Sequence, residues 1–235
     1  MFRSLIFLLT FVPWTLFVIL TGVPLSLLGA DYLHAYARIW GRVSLWLAGV
    51  RLTIIGREHL PAAGPAVYMA NHTSNFDILA LFAGIPAQFR WMAKAELFRI
   101  PLFGFAMRRA GSISVDRSSR RNSVLSMREA VRRIASGTSV VIFPEGTRSP
   151  DGTLQKFKTG SFTLALQAQV PVVPLALVGS NEVMPKHSRW IRGGHIRLHI
   201  LPPIAIAGRA VSEREALMEE VRRPIAAALQ EAGQG

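Results

Sequence analysis

"VYMANHTSNFDILALF", residues 67–82, decides how the chain is folded. An apolar run breaks at Asn71-His72, passes through small polar residues to Asp77, and a second apolar run begins at once. On one continuous helix His72 and Asp77 would lie about 140° apart, at roughly 3.6 residues per turn, and would face different ways. The conflict disappears if a helix begins between them. "AVYMA" (66–70) then reads as a buried strand, Thr73 or Ser74 as a helix N-cap, and "DILALF" as a helix with Asp77 in its first turn, where the helix dipole favours a carboxylate. His72, on the loop just before, can fold back onto Asp77. That pairing is the half of a Ser-His-Asp triad in which a carboxylate orients the imidazole while the other ring nitrogen takes a proton from a hydroxyl. The plainer alternative is a loop histidine and an ordinary helix-start acid.

Outward from this stretch, short apolar runs alternate with helix-like segments. "RLTIIG", "AVYMAN", "FRWMAK", "SISVDR", "SVVIFPEG", "VPVVPLALVG" and "IRLHILPPIAI" are strand candidates. "SRRNSVLSMREAVRRIASG" (119–137) carries Val124, Met127, Val131 and Ile134 at helical spacing, with Gly137 as its stop. The last helix opens on "SERE", where Ser212 and Glu215 make a capping box, and Pro224 is expected to kink it. Strands alternating with helices give an α/β fold, a largely parallel central sheet flanked by helices. Sites in such sheets form on loops leaving the carboxyl ends of strands, and the "NHTSNFD" loop follows one.

The chain has 235 residues, enough for one domain with an appended segment. Its 27 Lys and Arg against 14 Asp and Glu leave a net charge of +13, which calls for an anionic partner. The excess is concentrated between Arg90 and Arg133, where 11 basic residues face only Glu96, Asp116 and Glu129. No basic stretch has zinc-ligand spacing, an aromatic RNP pattern or a long tail, so membrane surface and phosphorylated small molecules stand ahead of nucleic acid. The absence of cysteine excludes disulfides, thiolate catalysis and Cys-ligated metal. The six histidines show no His-Glu-x-x-His spacing, and no metal site is expected.

Residues 4–30 contain no charge over 27 positions, more than the roughly 20 needed to cross a bilayer core. The basic lead is Arg3 alone and the run is nearly twice a signal-peptide core, so it reads as a retained anchor. Pro13, Gly22 and Pro24 leave two arrangements open, a single crossing or two shorter helices dipping into one leaflet. Residues 32–52 mix Tyr32, Tyr36, Trp40 and Trp46 with Arg38, Arg42 and Arg51, as an interfacial helix does, although the same pattern suits an amphipathic helix packed on the protein's own core. The expected organisation is an anchor and interfacial helix over 1–49 and a catalytic α/β domain over 50–235.

A second loop, "FPEGTRSPDG" (143–152), directly follows the apolar strand "SVVIF". Pro144 fixes the turn, Gly146 lets backbone approach a ligand, Thr147 and Ser149 offer hydroxyls, and Arg148 offers a planar fork for phosphate oxygens. Glu145 suits a substrate hydroxyl or an anchor for the arginine. "GSISVDRSSR" ends a further strand with Asp116-Arg117, and "RWMAKAEL" carries Lys94 at the close of another. Four loops thus offer His/Asp, Lys, Arg and Glu/Arg.

"NHTSNFD", "GSISVDR", "FPEGTRS" and "VPVVPLAL", in that order, resemble the four motifs of the glycerolipid acyltransferase family, in particular its bacterial 1-acylglycerol-3-phosphate O-acyltransferases. The resemblance covers roughly residues 50–205 plus the apolar anchor. It implies transfer of a fatty acyl group from acyl-CoA or acyl-carrier protein, as co-substrate and with no cofactor, to the sn-2 hydroxyl of lysophosphatidic acid, forming phosphatidic acid. By motif match His72 is the base and Asp77 its orienting partner, while Arg117, Glu145, Gly146, Thr147 and Arg148 hold the acceptor's glycerol phosphate. Lys94 matches more loosely, and it or a backbone amide would stabilise the oxyanion. "VPVVPLAL" is assigned to packing or acyl-chain contact. The implied partners are a phospholipid surface, a lysolipid acceptor and the acyl donor, with no nucleic acid, and the implied location is the cytoplasmic face of the cell inner membrane. Glycerol 3-phosphate, a lyso-ornithine lipid or another lysolipid are alternative acceptors, and a non-catalytic protein that binds anionic membranes is the alternative class.

Overall fold

The computed structural model describes residues 2–116 and 118–233. All seven apolar runs form strands: β1 (Val50–Ile55), β2 (Val67–Ala70), β3 (Arg90–Lys94), β4 (Ile113–Val115), β5 (Val140–Ile142), β6 (Val172–Val178) and β7 (Gly194–Ile200). They make one sheet in the order β1-β7-β6-β2-β5-β3-β4, in which every pair is parallel except β6 with β7. The four residues of β2 are buried on both faces, Tyr68 and Ala70 in one core and Val67 and Met69 in the other, as the alternation of a strand dictates.

One face of the sheet is covered by α1 (Phe2–Leu25), α2 (Ala30–Leu47) and α3 (Phe76–Gly84). The short α4 (Phe103–Arg109) lies between β3 and β4 in the chain. The other face is covered by α5 (Arg120–Ala135), α6 (Gly160–Ala168) and α8 (Arg214–Gly233). A single turn, α7 (Ser180–Val183), follows β6. Leu164, Leu166, Leu217 and Val221 are completely or almost completely buried in this second core.

α1 is one helix with Pro13 and Pro24 inside it, and α8 continues as a helix past Pro224. The N-cap position of α3 falls at Asn75, which makes no side-chain cap bond; the cap bond comes from Ser74, whose Oγ accepts the Phe76 amide at 3.2 Å. Ser212 and Glu215 form no capping box at α8, because the chain enters through a turn at Val211–Glu213, where the Glu213 carboxylate reaches back to the Ala210 amide at 2.7 Å. Much of the aromatic set of α2 is used internally. The Trp40 indole donates to Thr15 Oγ1 at 3.0 Å, and the Tyr36 hydroxyl meets Thr21 Oγ1 at 2.9 Å, while Tyr32 and Trp46 stay exposed.

Among the described residues α1 is the one helix long and apolar enough to cross a membrane, yet it is tied to the rest of the molecule along its length. Near its start the Ile191 amide donates to Ser4 Oγ at 2.8 Å, and further along Phe7 packs on Phe76. Just past its end the Arg109 guanidinium donates to Ser26 Oγ at 2.8 Å. Leu5, Leu8, Leu9 and Phe17 face outward on the side turned away from these contacts, and Leu27 and Leu28 project from the turn joining α1 to α2.

Candidate active site

β2, β5 and β6 are mutually parallel neighbours, so the loops that follow them emerge together at the carboxyl edge in mid-sheet. The loop after β2 is stitched to the other two at almost every residue. The Asn71 side chain extends the ladder with β6: its Oδ1 accepts from the Leu177 amide at 2.7 Å and its Nδ2 donates to the Leu177 carbonyl at 2.9 Å. Thr73 Oγ1 meets Ser180 Oγ at 2.8 Å, and Ser74 Oγ donates to the Met184 carbonyl at 2.8 Å. From the loop after β5, the Ser149 amide donates to the His72 carbonyl at 2.7 Å. The polar break in the opening stretch is therefore a set of tethers between distant segments.

Those tethers set the geometry of the pair. His72 Nδ1 lies 2.8 Å from Asp77 Oδ2, and the same oxygen accepts the amides of Thr73 and Ser74, each at 2.8 Å. Asp77 thus uses its carboxylate to bind the two residues before its own helix, and that fold-back brings His72 onto it. The carboxylate is fully buried. With Nδ1–H donated to it, His72 Nε2 carries the lone pair, and this atom has no hydrogen-bond partner among the described residues. The ring lies flat on Phe143, 3.8 Å between centroids, and Phe143 in turn stacks on Trp91. An imidazole held at one nitrogen, clamped on one face and free at the other nitrogen is suited to accept a proton.

Glu145 lies behind this pair. Its Oε1 accepts the His72 amide at 2.6 Å and its Oε2 the Gln155 amide at 3.0 Å, so it joins the two loops while almost wholly buried, and among the described residues it makes no ion pair with Arg148. Burial pushes its carboxyl up to about 7; the two amides oppose that shift and the Asp77 charge adds to it.

Gly146 adopts φ +72°, and its missing side chain makes room for a residue that sequence reasoning passed over. A Cβ there would stand 2.9 Å from Lys158 Nζ, so the lysine lies across the glycine backbone. The Lys158 amide donates to the Pro144 carbonyl at 2.9 Å, which fixes the segment against the loop. The side chains of Lys158 and Arg148 have no partner among the described residues, and Lys186 Nζ supports the Arg148 carbonyl at 2.7 Å. Thr147 is exposed beside them. Lys94 ends β3 on the same edge, exposed, beyond β5 and so about 10 Å from the end of β2 at ordinary strand spacing. Arg117 lies outside the described residues. "VPVVPLAL" forms most of β6, buried between β2 and β7, which assigns it to packing.

Signals for the missed residues were weak. Phe143 and Asn71 bordered motifs already noticed, whereas Lys158 sits in "FKTG", where nothing local marks it.

A profile of the Acyltransferase family matches residues 51–178. A chloroplastic 1-acyl-sn-glycerol-3-phosphate acyltransferase of Brassica napus is 35% identical over 215 residues, covering 89% of this chain and 60% of the relative. The chain therefore spans about three-fifths of that relative's length. A 1-acyl-sn-glycerol-3-phosphate acyltransferase of Limnanthes alba is 36% identical over 200 residues, 85% of this chain and 70% of the relative. Among solved structures, the 1-acyl-sn-glycerophosphate (LPA) acyltransferase PlsC of Thermotoga maritima superposes with a TM-score of 0.85 at 26% identity, covering 98% of this chain and 94% of that one.

Proposed function

Because this chain belongs to the acyltransferase family, we propose that it moves a fatty acyl group from a thioester donor to the sn-2 hydroxyl of lysophosphatidic acid, forming phosphatidic acid. The observation that carries the reading is the fixed His72–Asp77 pair with its unengaged Nε2, beside two unpaired cations. His72 Nε2 takes the proton of the acceptor hydroxyl as its oxygen attacks the thioester carbonyl, and buried Asp77 stabilises the imidazolium that forms. The proton then passes to the departing thiolate of acyl-CoA or acyl-carrier protein. The acceptor supplies the nucleophile, so the acyl group passes directly to it without an acyl-enzyme.

Arg148 and Lys158 grip the acceptor's phosphate, with Gly146 and Thr147 offering backbone and hydroxyl contacts. Lys94, at the end of β3, extends the positive edge beside them, and Arg117 is assigned by its motif to the acceptor's phosphate. Glu145 is assigned to holding the loops in register. The ties from Ser4 to Ile191 and from Ser26 to Arg109 favour the hairpin of α1 and α2 lying in one leaflet, at the cytoplasmic face of the inner membrane, with the site at that surface.

Acyl transfer assayed with lysophosphatidic acid, glycerol 3-phosphate, a lyso-ornithine lipid and other lysolipids, against acyl-CoA and acyl-carrier protein, tests the reading. Phosphatidic acid is the expected main product and His72→Ala the inactive control. Transfer that survives in His72→Ala excludes the mechanism, and preference for another acceptor reassigns the substrate.

A further inference from the structure

We propose that residues 97–105 form a second membrane-inserting element, entering the same leaflet as the apolar face of α1. This rests on the proposed placement of the site at a leaflet. The segment "LFRIPLFGF" turns Leu97, Ile100, Leu102, Phe103 and Phe105 to the outside. Five large apolar side chains exposed within nine residues are not the scattered exposure of an ordinary surface.

The display is built into the backbone. Leu102 has φ +60° and ψ −54°, and the Phe103 amide bonds the Pro101 carbonyl at 2.6 Å. These are the marks of the rarer, strained γ-turn, in a residue that pays a steric penalty for it. Phe98 is the buried root of the segment, its carbonyl accepting from Arg108. Gly104 packs so closely that a Cβ would fall 2.2 Å from the Phe98 carbonyl oxygen. A strained turn on a tightly packed base presents Leu102 and Phe103 rigidly, when a relaxed loop would have let them fold inward.

The occupant is identified by what adjoins the patch. Leu102 and Phe103 share an apolar groove of about 220 Å³ with Phe11, Val12, Leu16 and Ile19 of α1, so the two surfaces are continuous. Whatever solvates the outer face of α1 also meets Leu102. Arg99, within the segment, and Arg108, just after it, are both exposed and complement anionic headgroups, as arginines beside an inserted apolar surface do.

The chain has no cysteine, so one label can be placed at a time. Leu102→Cys, Leu16→Cys and Ala216→Cys in the full chain, each carrying an environment-sensitive fluorophore, are mixed with vesicles of phosphatidylcholine and phosphatidylglycerol. Labels at 102 and 16 should brighten severalfold and be quenched by brominated lipid, while the label at 216, on the opposite face in α8, should not respond. A label at 102 that stays in water while the label at 16 enters lipid overturns the proposal. If neither enters lipid, the membrane placement itself fails. Brightening at 102 without vesicles, rising with protein concentration, shows a second copy covering the patch and also overturns it. Leu102→Glu with Phe103→Glu should lower vesicle binding about tenfold or more. Turnover of a monodisperse short-chain acceptor should stay within about twofold.

Discussion

Asp77 gathers three donors on one oxygen, and its position depends on backbone amides more than on neighbouring side chains. Asp77→Asn keeps an oxygen for the Thr73 and Ser74 amides but loses the charge that supports an imidazolium. Turnover should fall by about 10³- to 10⁴-fold with the fold intact, seen as lost product in single-turnover assays alongside an unchanged circular dichroism spectrum. Arg148→Ala should raise the acceptor's KM by about 10- to 100-fold and Lys158→Ala, at a more exposed cation, by about 3- to 10-fold, with the donor's KM little changed. The penalty should vanish with a monoacylglycerol, which has no phosphate. Equal rises for donor and acceptor would remove both residues from the phosphate site. His72 and Asp77 were legible because their partnership is local, five positions apart. Asn71, Phe143 and Lys158 were not, because their roles depend on partners brought together only by the sheet, 106 residues away in the case of Asn71 and Leu177.

All seven strands could be read from apolar runs between turn residues, and the largely parallel sheet from their alternation with helices. Helix starts were less legible. Ser74 does serve α3, its Oγ accepting the Phe76 amide at 3.2 Å, but the Thr73 hydroxyl is taken by Ser180 across the sheet edge, and at α8 it is Glu213, not Glu215, that reaches back to an amide. The loop clamp has a pH signature. Glu145 titrates near 7 in the folded protein, above its ordinary value of 4.5, so between those values the native state holds a proton that the unfolded chain has released. The stabilisation is complete below about 4.5 and lost as pH rises through about 7. Unfolding free energy from urea titration should therefore fall more steeply between pH 5 and pH 8 in the wild type than in Glu145→Gln. Equal slopes would place the titration elsewhere.

Across the whole molecule, α1 is part of the core as well as a long apolar helix, since Phe7 is buried against Phe76 and Val18 is buried as well. Removing residues 1–29 should therefore do more than loosen membrane binding. It strips one layer from α2 and α3, and the truncated protein should unfold at a lower temperature and aggregate, measured by scanning fluorimetry in detergent. A truncated protein with the parent's melting temperature would make α1 a tether alone. The sheet also joins the chain's early and late parts: among the described residues β1 pairs with β7 alone, Val50 opposite Gly194. On a ribosome the hairpin of α1 and α2 emerges long before that partner exists. At roughly 5–20 residues per second, β1 waits on the order of ten seconds for the chain to grow from Val50 to Gly194. On the proposed placement, the apolar hairpin has time to settle into lipid first, and the sheet then closes on a chain already moored.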